Sequence, residues 1–470
     1  MITRKNTILS FLTMLLMSSC SWLDVAPSNE VNEDDLDLRN ALNGIYLKLG
    51  ATALYGSNLS YGFIEVLGHQ YLPEYMETTS TYYKASEFKY DDADVKSVIS
   101  NLWSNGYNGI ASCNHLIQMA SEAGPADFQE LEMEKNLIHG EALALRALFH
   151  FDILRTFAPS MEADDGKAYM PYVDLYPVIS TTYYPNVEIL KKIENDLIKA
   201  RDLVATCDVK EHPEWMETQC RMFAKGINSE LPKDVFFAYR GYRMNYYAIT
   251  ALLARVYMWE KEYKKAYDMA MEVIEAKIDD SKFFGFVEHT SLKEDMKDSE
   301  SILFTLSRIT LEEEYRPYTD TNSKTRFWFN KTDIFEDSQE DKRASSAMVE
   351  AAGDVYYSKK YLIAEGTNDY DMIPILRLSE MYYIIAEYAA RTNDFTTAAN
   401  ALETVCSARG MISKTFNFVS LENFLDELVK EVRKELIGEG QLYFLYKRLD
   451  RKSFADDVKF VFDRPENEDI

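Results

Sequence analysis

Small and apolar residues recur along the chain with the period of an α-helix, and two stretches share one spacing. Each stretch places such residues at successive intervals of 3, 6, 3, 4 and 3 positions. In the first stretch they are Ala254, Tyr257, Tyr263, Ala266, Ala270 and Val273. In the second, 132 residues further on, they are Ala386, Ala389, Phe395, Ala398, Leu402 and Val405. Since small residues let two helices cross closely, with an aromatic residue at the turn, this spacing predicts two tetratricopeptide-like helix pairs.

Two further stretches with a helical period predict a third pair of helices, divided by a long loop. The sequence EALALRALFHFDILRTF carries Leu143, Ala147, Leu148 and Phe151 on one face. Its expected partner, NVEILKKIENDLIKARDLV, begins only at Asn186.

A fourth helix is predicted to begin at the acidic sequence DDAD, residues 91–94. Aspartate at an N-cap accepts hydrogen bonds from free backbone N–H groups, and negative charge is favourable in the first helical turn. We therefore interpret DDAD as a helix cap; a calcium site is the alternative.

Between the predicted helices lie long segments rich in Tyr, Gly, Ser and Asn, chiefly residues 55–90, 160–185, 209–242 and 282–370. Loops of this length inside a compact domain usually carry function. We therefore look for functional residues there rather than on the helices.

The N-terminal residues have the pattern of an export signal. Two basic residues precede an apolar run over residues 8–17, which is too short to span a bilayer. Two serines then lead directly into Cys20, which resembles a bacterial lipobox. We expect residues 1–19 to be a lipoprotein signal peptide and Cys20 to carry the lipid anchor. A spare cysteine after an ordinary signal peptide is the alternative.

Charge restricts the classes of partner. The formal net charge of −26 and a pI near 4.7 argue against nucleic acid or an anionic lipid surface, because there is no basic patch to neutralise phosphates. The negative charge does not argue against binding of a neutral ligand.

The remaining cysteines, Cys113, Cys207, Cys220 and Cys406, match no zinc or CxxC spacing. A bridge between Cys207 and Cys220 is one outcome, and buried free thiols are the commoner one for so few cysteines.

Sequence motifs of common enzymes do not occur. The six histidines show no HExxH spacing, and there is no GxSxG, Walker or dinucleotide-binding sequence. A glycan hydrolase built on a helical barrel would need two carboxylates across a cleft, and a spatial pair such as Glu65 with Glu74 would leave no local motif. We expect a protein without enzymatic activity, catalytic residues, metal or cofactor.

Motifs spread along the whole chain, in a fixed order, together resemble one known family. They are the lipobox followed by SWLDVAP; ALNGIY at residues 41–46; LWSNGYNGIASCNHLI with Trp103, Tyr107 and Asn114; ALRALFHFDILRTF; NDLIKA; a helix ILRLSEMYYIIAEYAA through Arg377, Glu380 and Glu387; and a closing helix EVRKELIGEGQLYFLYKR. In this order they resemble the SusD/RagB family of nutrient-binding outer-membrane lipoproteins of Bacteroidetes.

The last motif departs from the family pattern. Leu442 and Leu445 stand where the family usually has an Arg and an Asp, and Val432 replaces another Arg. We expect apolar packing to replace a structural ion pair at these positions.

The resemblance implies an all-α-dominated fold, in which residues 20–470 form one domain of helix pairs with long loops packed over them as a ligand-binding face. It implies a location at the cell surface, on the outer membrane, and a partner there, a SusC-like TonB-dependent transporter that the lipoprotein covers as a lid. It also implies an oligosaccharide ligand, held by aromatic rings and polar side chains and captured for import. A RagB-like peptide ligand, or a protein-interaction scaffold without a small ligand, are the alternatives.

Aromatic and polar residues in two loop regions are the candidate ligand contacts, because related proteins tend to bind ligand there. The first region contains Tyr71, Tyr75, Tyr82 and Tyr83. The second contains Tyr315, Tyr318, Arg326, Phe327, Trp328 and Asn330. The alternative is that these rings only pack the loops onto the scaffold. For Trp103, Tyr107, Tyr257 and Trp259, which fall on predicted helices, we expect core packing.

Overall fold

The computed structural model describes most of the chain after residue 36. The described residues are 37–178, 181–225, 231–336, 338–363, 371–452, 455 and 458–466. The predicted signal peptide and the predicted lipid attachment site at Cys20 lie outside them.

Helices dominate the described part, which contains fifteen α-helices. They are α1 (Leu38–Leu49), α2 (Phe63–Leu67), α3 (Thr81–Ser86), α4 (Ala93–Glu122), α5 (Leu131–Phe157), α6 (Asn186–Ala205), α7 (Thr218–Phe223), α8 (Tyr246–Glu260), α9 (Tyr263–Glu275), α10 (Leu311–Tyr315), α11 (Lys331–Phe335), α12 (Leu378–Arg391), α13 (Phe395–Ala408), α14 (Leu421–Glu435) and α15 (Gln441–Arg448). Among the described helices, none combines the length and the apolar composition needed to cross a membrane.

The long helices pack one against the next and form the scaffold. Contacts run from α4 to α5, α5 to α6, α6 to α8, α8 to α9, α9 to α12 and α12 to α13. The two predicted repeat pairs are α8 with α9 and α12 with α13, and their small residues, such as Ala266 and Ala398, are fully buried. The tetratricopeptide-like prediction is therefore confirmed, and the two pairs also pack on each other through α9 and α12.

The third predicted pair is α5 with α6, and an ion pair joins their interior faces. The guanidinium of Arg146 donates to both carboxylate oxygens of Asp196 at 2.7 Å, and both side chains are buried. Arg146 also donates to the amide oxygen of Asn114 at 2.9 Å, which extends the network to α4. Residues from three of the sequence motifs therefore meet in one structural network.

The acidic sequence at the start of α4 caps the helix, as predicted. The Asp92 side chain accepts a hydrogen bond from the backbone N–H of Asp94 at 3.0 Å. The Lys84 ammonium group lies within 3.1 Å of both carboxylates, so a cation of the chain itself balances their charge.

Eight short strands form four two-stranded antiparallel sheets in the described part. They are β1 (Ala168–Pro171) with β2 (Tyr183–Pro185), β3 (Lys277–Ile278) with β4 (Ser281–Lys282), β5 (Ile302–Ser307) with β8 (Met372–Arg377), and β6 (Val349–Ala352) with β7 (Val355–Ser358).

The strand β8 corrects one sequence interpretation. Arg377 was expected on the same helix as Glu380 and Glu387, but it ends β8, and α12 begins one residue later. Pro374 lies within the strand and lacks the N–H that a helix would require, while every side chain of β8 is buried. A short, fully buried apolar run does not distinguish strand from helix by its period alone.

The closing motif is likewise two helices rather than one. Gly440 has a φ of +71°, and a Cβ there would lie 2.2 Å from the carbonyl oxygen of Leu59. Only glycine fits this close approach, so the chain turns between α14 and α15. Leu442 is buried and Leu445 packs partly buried against the core, as expected from the loss of the family's charged residues there.

The four described cysteines are buried free thiols. Burial raises the pKa of each of them, to about 11 for Cys220, so they are protonated at neutral pH. Cys207 and Cys220 are therefore not bridged, and burial rather than redox chemistry accounts for them.

Candidate functional site

The two aromatic loop regions singled out in the sequence lie against each other in the structure. The backbone N–H of Leu72 donates to the carbonyl oxygen of Trp328 at 2.8 Å, and that of Arg326 donates to the carbonyl oxygen of Tyr75 at 3.1 Å. Met76 and Thr325 form an antiparallel bridge next to the second of these hydrogen bonds. The two clusters therefore form one surface, which we call the aromatic site.

Phe327 is the centre of the aromatic site. Its ring stacks on Tyr71 at a centroid distance of 4.6 Å and an interplanar angle of 7°, and on Tyr318 at 4.1 Å and 12°. Tyr82 meets the Phe327 ring edge-on at 5.0 Å. Both stacked and edge-to-face geometries are favourable for aromatic rings, so this arrangement holds the two loops in register.

Phe327 and three other predicted contact residues are buried beneath this surface. The exposed fraction is 4% for Tyr71, 1% for Tyr315 and 5% for Trp328. The Tyr71 hydroxyl donates to the carbonyl oxygen of Tyr61, and that of Tyr315 to the carbonyl oxygen of Ser358, each at 3.0 Å. Because protein atoms cover their rings, direct contact of these residues with a ligand stays a prediction that requires neighbouring side chains to move.

Four predicted tyrosines, Tyr75, Tyr82, Tyr83 and Tyr318, are only partly buried. They are the rings of the aromatic site that solvent reaches, so they are the better candidates for stacking on a ligand. Asn330 is exposed, but its amide oxygen accepts from the backbone N–H of Asp333 at 3.1 Å and caps α11. Its role as a ligand contact stays a prediction.

Arg326 covers the indole of Trp328. Its guanidinium carbon lies 4.5 Å from the Trp328 ring centroid and 5.6 Å from that of Tyr75. Nη1 donates to the carbonyl oxygen of Thr321 at 3.1 Å. The buried Nε of Arg326 and the buried Nε1 of Trp328 have no hydrogen-bond partner among the described residues. The aromatic site therefore contains two buried N–H donors that have no acceptor among the described residues.

Glu65 anchors α2, below the aromatic site, to the turn between α14 and α15. Its carboxylate oxygens accept from the backbone N–H groups of Gly438 at 2.5 Å and of Gly440 at 2.8 Å. Burial raises the pKa of Glu65 to about 7. Glu74 is exposed. Since Glu65 is buried and both its oxygens are bonded, it lacks the solvent access that a catalytic carboxylate at a cleft needs.

A buried ionic network, which sequence reasoning did not find, fastens the segment 282–363 to the scaffold. The carboxylate of Glu435 on α14 accepts hydrogen bonds from Arg343 and Arg409 and forms an ion pair with Arg377 at 3.0 Å. Arg409 also donates to Asp298 at 2.7 Å. These side chains come from separate segments, so no spacing in the sequence marks them as partners. The network holds the segment 282–363, which we call the loop layer and which carries Phe327 and Trp328, on the scaffold.

Two family models match the chain, and they cover both halves of the aromatic site. Residues 21–220 match the SusD-like model described as starch-binding and associating with the outer membrane. Residues 311–461 match the model of the SusD family. The chain belongs to the SusD/RagB family. In this family member, the segment of the aromatic site around Tyr71 lies in the first matched region, and the segment around Trp328 lies in the second.

Solved structures of the SusD superfamily share the fold of this chain. A SusD superfamily protein from Bacteroides thetaiotaomicron is 22% identical with a TM-score of 0.65, and the match covers 89% of each chain. A putative sugar-binding protein from Bacteroides vulgatus is 22% identical with a TM-score of 0.63, covering 87% of this chain and 86% of the other. A surface glycan-binding protein A from Bacteroides uniformis is 15% identical with a TM-score of 0.63, covering 90% and 89%. No curated protein matches this SusD-family chain.

Proposed function

We propose that this protein captures oligosaccharide at the cell surface and delivers it to a SusC-like TonB-dependent transporter in the outer membrane. The observation that carries the proposal is the meeting of the two loop regions in one aromatic site. The family description, starch-binding and associating with the outer membrane, supports the same ligand class and location.

The partly buried tyrosines suit a sugar ligand. The C–H faces of a pyranose ring pack well on aromatic faces, and such contacts need no charge on the ligand. Phe327 and the buried ionic network hold these rings in place, so little ordering is required when a ligand binds. Polar groups at the rim, including the side chains of Asn330 and Arg326, can bond sugar hydroxyls.

Substitution of the accessible tyrosines tests the ligand. Tyr75→Ala and Tyr318→Ala should each weaken binding of a glycan by roughly 5- to 100-fold, by analogy with stacking on flat ligands. The melting temperature of Tyr75→Ala should stay near wild type, whereas that of Tyr318→Ala should fall, because the Tyr318 ring stacks on Phe327. Tyr239→Ala, on a different loop and 40% exposed, is the matched control and should leave affinity unchanged. The assay is calorimetry against a panel of plant and host glycans, with peptides included. Binding of peptides alone would favour the RagB-like alternative. An unchanged affinity in both site variants would exclude the aromatic site as the place where the glycan binds.

The lipid anchor has its own test. We propose that the lipid on Cys20 holds residues 20–470, as one domain, on the outer membrane after removal of residues 1–19. Cys20→Ala should abolish acyl labelling and release the protein from the membrane fraction, because lipidation requires the thiol. Continued labelling of this variant would contradict the lipobox interpretation. Copurification of a TonB-dependent transporter with the wild-type protein is the corresponding test of the partner.

A further inference from the structure

Arg326 differs from the arginines near it in the same loop layer. Arg308 bonds the carboxylate of Glu314, and Arg316 bonds that of Glu312. Arg326 has no carboxylate within ion-pair distance among the described residues, although the chain contains 77 acidic residues. Its positive charge is therefore held at the aromatic site without a carboxylate counter-charge from the described part of the chain.

The guanidinium is also held with its Nε buried and its Nη1–Nη2 end accessible. Arginine has five N–H donors, which lie in the plane of the group. In the described part of the chain, the one acceptor that Arg326 has for them is the carbonyl oxygen of Thr321. The guanidinium carbon lies 4.5 Å from the centroid of the Trp328 ring, and Nη2 is neither buried nor bonded to a described residue, so the Nη1–Nη2 end of the group is available. A carboxylate binds such an edge through two parallel hydrogen bonds.

The surrounding charge limits how many anionic groups a ligand can carry. The net charge of −26 repels polyanions, and Lys324, close to Arg326 in the loop, is already bonded to Glu77 at 3.1 Å. At physiological salt the repulsion acts over a Debye length of about 8 Å, so charges near the site dominate. An isolated carboxylate on an otherwise neutral glycan fits this environment, and a densely charged polymer does not.

We infer that Arg326 makes the aromatic site select oligosaccharides that carry isolated carboxylates, as uronic acids and sialic acids do. The tyrosines stack on the neutral sugar rings, and the edge of the Arg326 guanidinium binds the carboxylate. This inference rests on the proposed glycan-binding function and specifies the ligand class of the same site.

Glycan pairs that differ only in the acidic sugar give the sharpest test. Suitable pairs are a glucuronic-acid-substituted xylo-oligosaccharide with the unsubstituted one, sialyllactose with lactose, and galacturonic-acid-containing oligosaccharides with their carboxyl-reduced forms. Calorimetry on the wild-type protein should give, for at least one pair, an affinity about 10- to 100-fold higher for the acidic member. Added salt should reduce this ratio, because it screens the charge pair.

Variants of Arg326 assign the preference to this side chain. Arg326→Gln should remove the acidic preference, and Arg326→Lys should keep only part of it, since lysine has the charge without the planar edge. The matched control is Arg316→Gln, an exposed arginine of the same segment whose partner is Glu312, which should retain the wild-type ratio. Circular dichroism and melting curves establish that each variant is folded.

The outcomes separate this inference from the proposed function. Equal affinity for both members of every pair, an acidic preference that survives in Arg326→Gln, or a preference for heparin over singly charged glycans would overturn the inference. If wild type binds a neutral glycan and Tyr75→Ala does not, the proposed function is supported even when the inference about Arg326 fails. Failure of the wild-type protein to bind any glycan would overturn both.

Discussion

The guanidinium carbon of Arg326 lies over the Trp328 ring, 4.5 Å from its centroid. Trp328 is consequently 5% exposed and packs among the loops. In the described conformation this tryptophan supports the site from below, and the partly buried tyrosines around it form the accessible surface.

Trp328→Ala should therefore reduce stability more than it reduces affinity. Removing a buried tryptophan typically costs about 3–5 kcal/mol of the free energy of unfolding. Arg326→Gln, in contrast, should change this free energy by about 1 kcal/mol or less, since the side chain is partly exposed. Urea denaturation of both variants measures the difference. A Trp328→Ala protein with wild-type stability and weakened glycan binding would instead identify the indole as a ligand contact.

The helix crossings of the repeat should not tolerate larger side chains. Ala266 and Ala398 are fully buried at equivalent positions of α9 and α13. Leucine at either position should lower the free energy of unfolding by about 1–3 kcal/mol through overpacking. The control is Asn400→Leu on the exposed side of α13, which should have little effect. Unchanged melting curves for both alanine variants would argue against close crossings.

The ion pair between Arg146 and Asp196 should behave as a unit. Asp196→Leu leaves the Arg146 guanidinium buried without its counter-charge, and breaking such a pair costs about 3–5 kcal/mol. The double variant Arg146→Met with Asp196→Leu should recover much of this loss, because both charges are removed together. A double-mutant cycle measured by urea denaturation gives the coupling. Additive effects of the two single substitutions would contradict the pairing.

Stability should fall as the pH rises, in a way that depends on Glu65. Burial raises the pKa of Glu65 to about 7, from its ordinary value of 4.5. Since the folded protein keeps this proton to a higher pH than the unfolded chain, ionisation removes about 3 kcal/mol of stability between roughly pH 4.5 and pH 7. The nearby Lys360 lowers the pKa and Glu439 raises it, and neither reverses the shift.

Glu65→Gln isolates this contribution from those of other groups that titrate in the same range. Its amide cannot ionise, so the difference in the free energy of unfolding between the variant and wild type should change between pH 5 and pH 8. Urea denaturation of both proteins at the two pH values gives the comparison. Parallel pH profiles would show that Glu65 keeps an ordinary pKa in the folded protein.

The scaffold could be predicted from the sequence because its signals are local. The spacing from Ala254 to Val273 and from Ala386 to Val405 directly reports the period of a helix and the crossing of a pair. Where the period is ambiguous the prediction was wrong, as at Arg377, which ends a buried strand whose partner, β5, lies far away in the chain. The turn at Gly440 likewise depends on the backbone of Leu59, which no local pattern shows.

The candidate site could be predicted only in part. Both aromatic clusters were recognised from composition, but their union depends on the bridge between Met76 and Thr325, which leaves no signal in either segment. Burial of Tyr71, Tyr315 and Trp328 was equally invisible, because a tyrosine or tryptophan in a loop sequence looks the same whether it lies on the surface or beneath it. The spacing of charged residues in the loop gave no sign that Arg326 would have no carboxylate partner among the described residues.

The bridge between Met76 and Thr325 also sets the length of chain that must be made before the aromatic site can form. The ring contacts of Tyr71 with Phe327, and of Tyr82 with Tyr318 and Phe327, are complete only when the chain has extended past Phe327. The helices α4, α5 and α6 can pack on one another well before that. Contacts so distant in sequence form late, because closing a long loop is entropically costly. A chain that stops short of residue 327 would therefore retain helical structure and still lack the completed aromatic site.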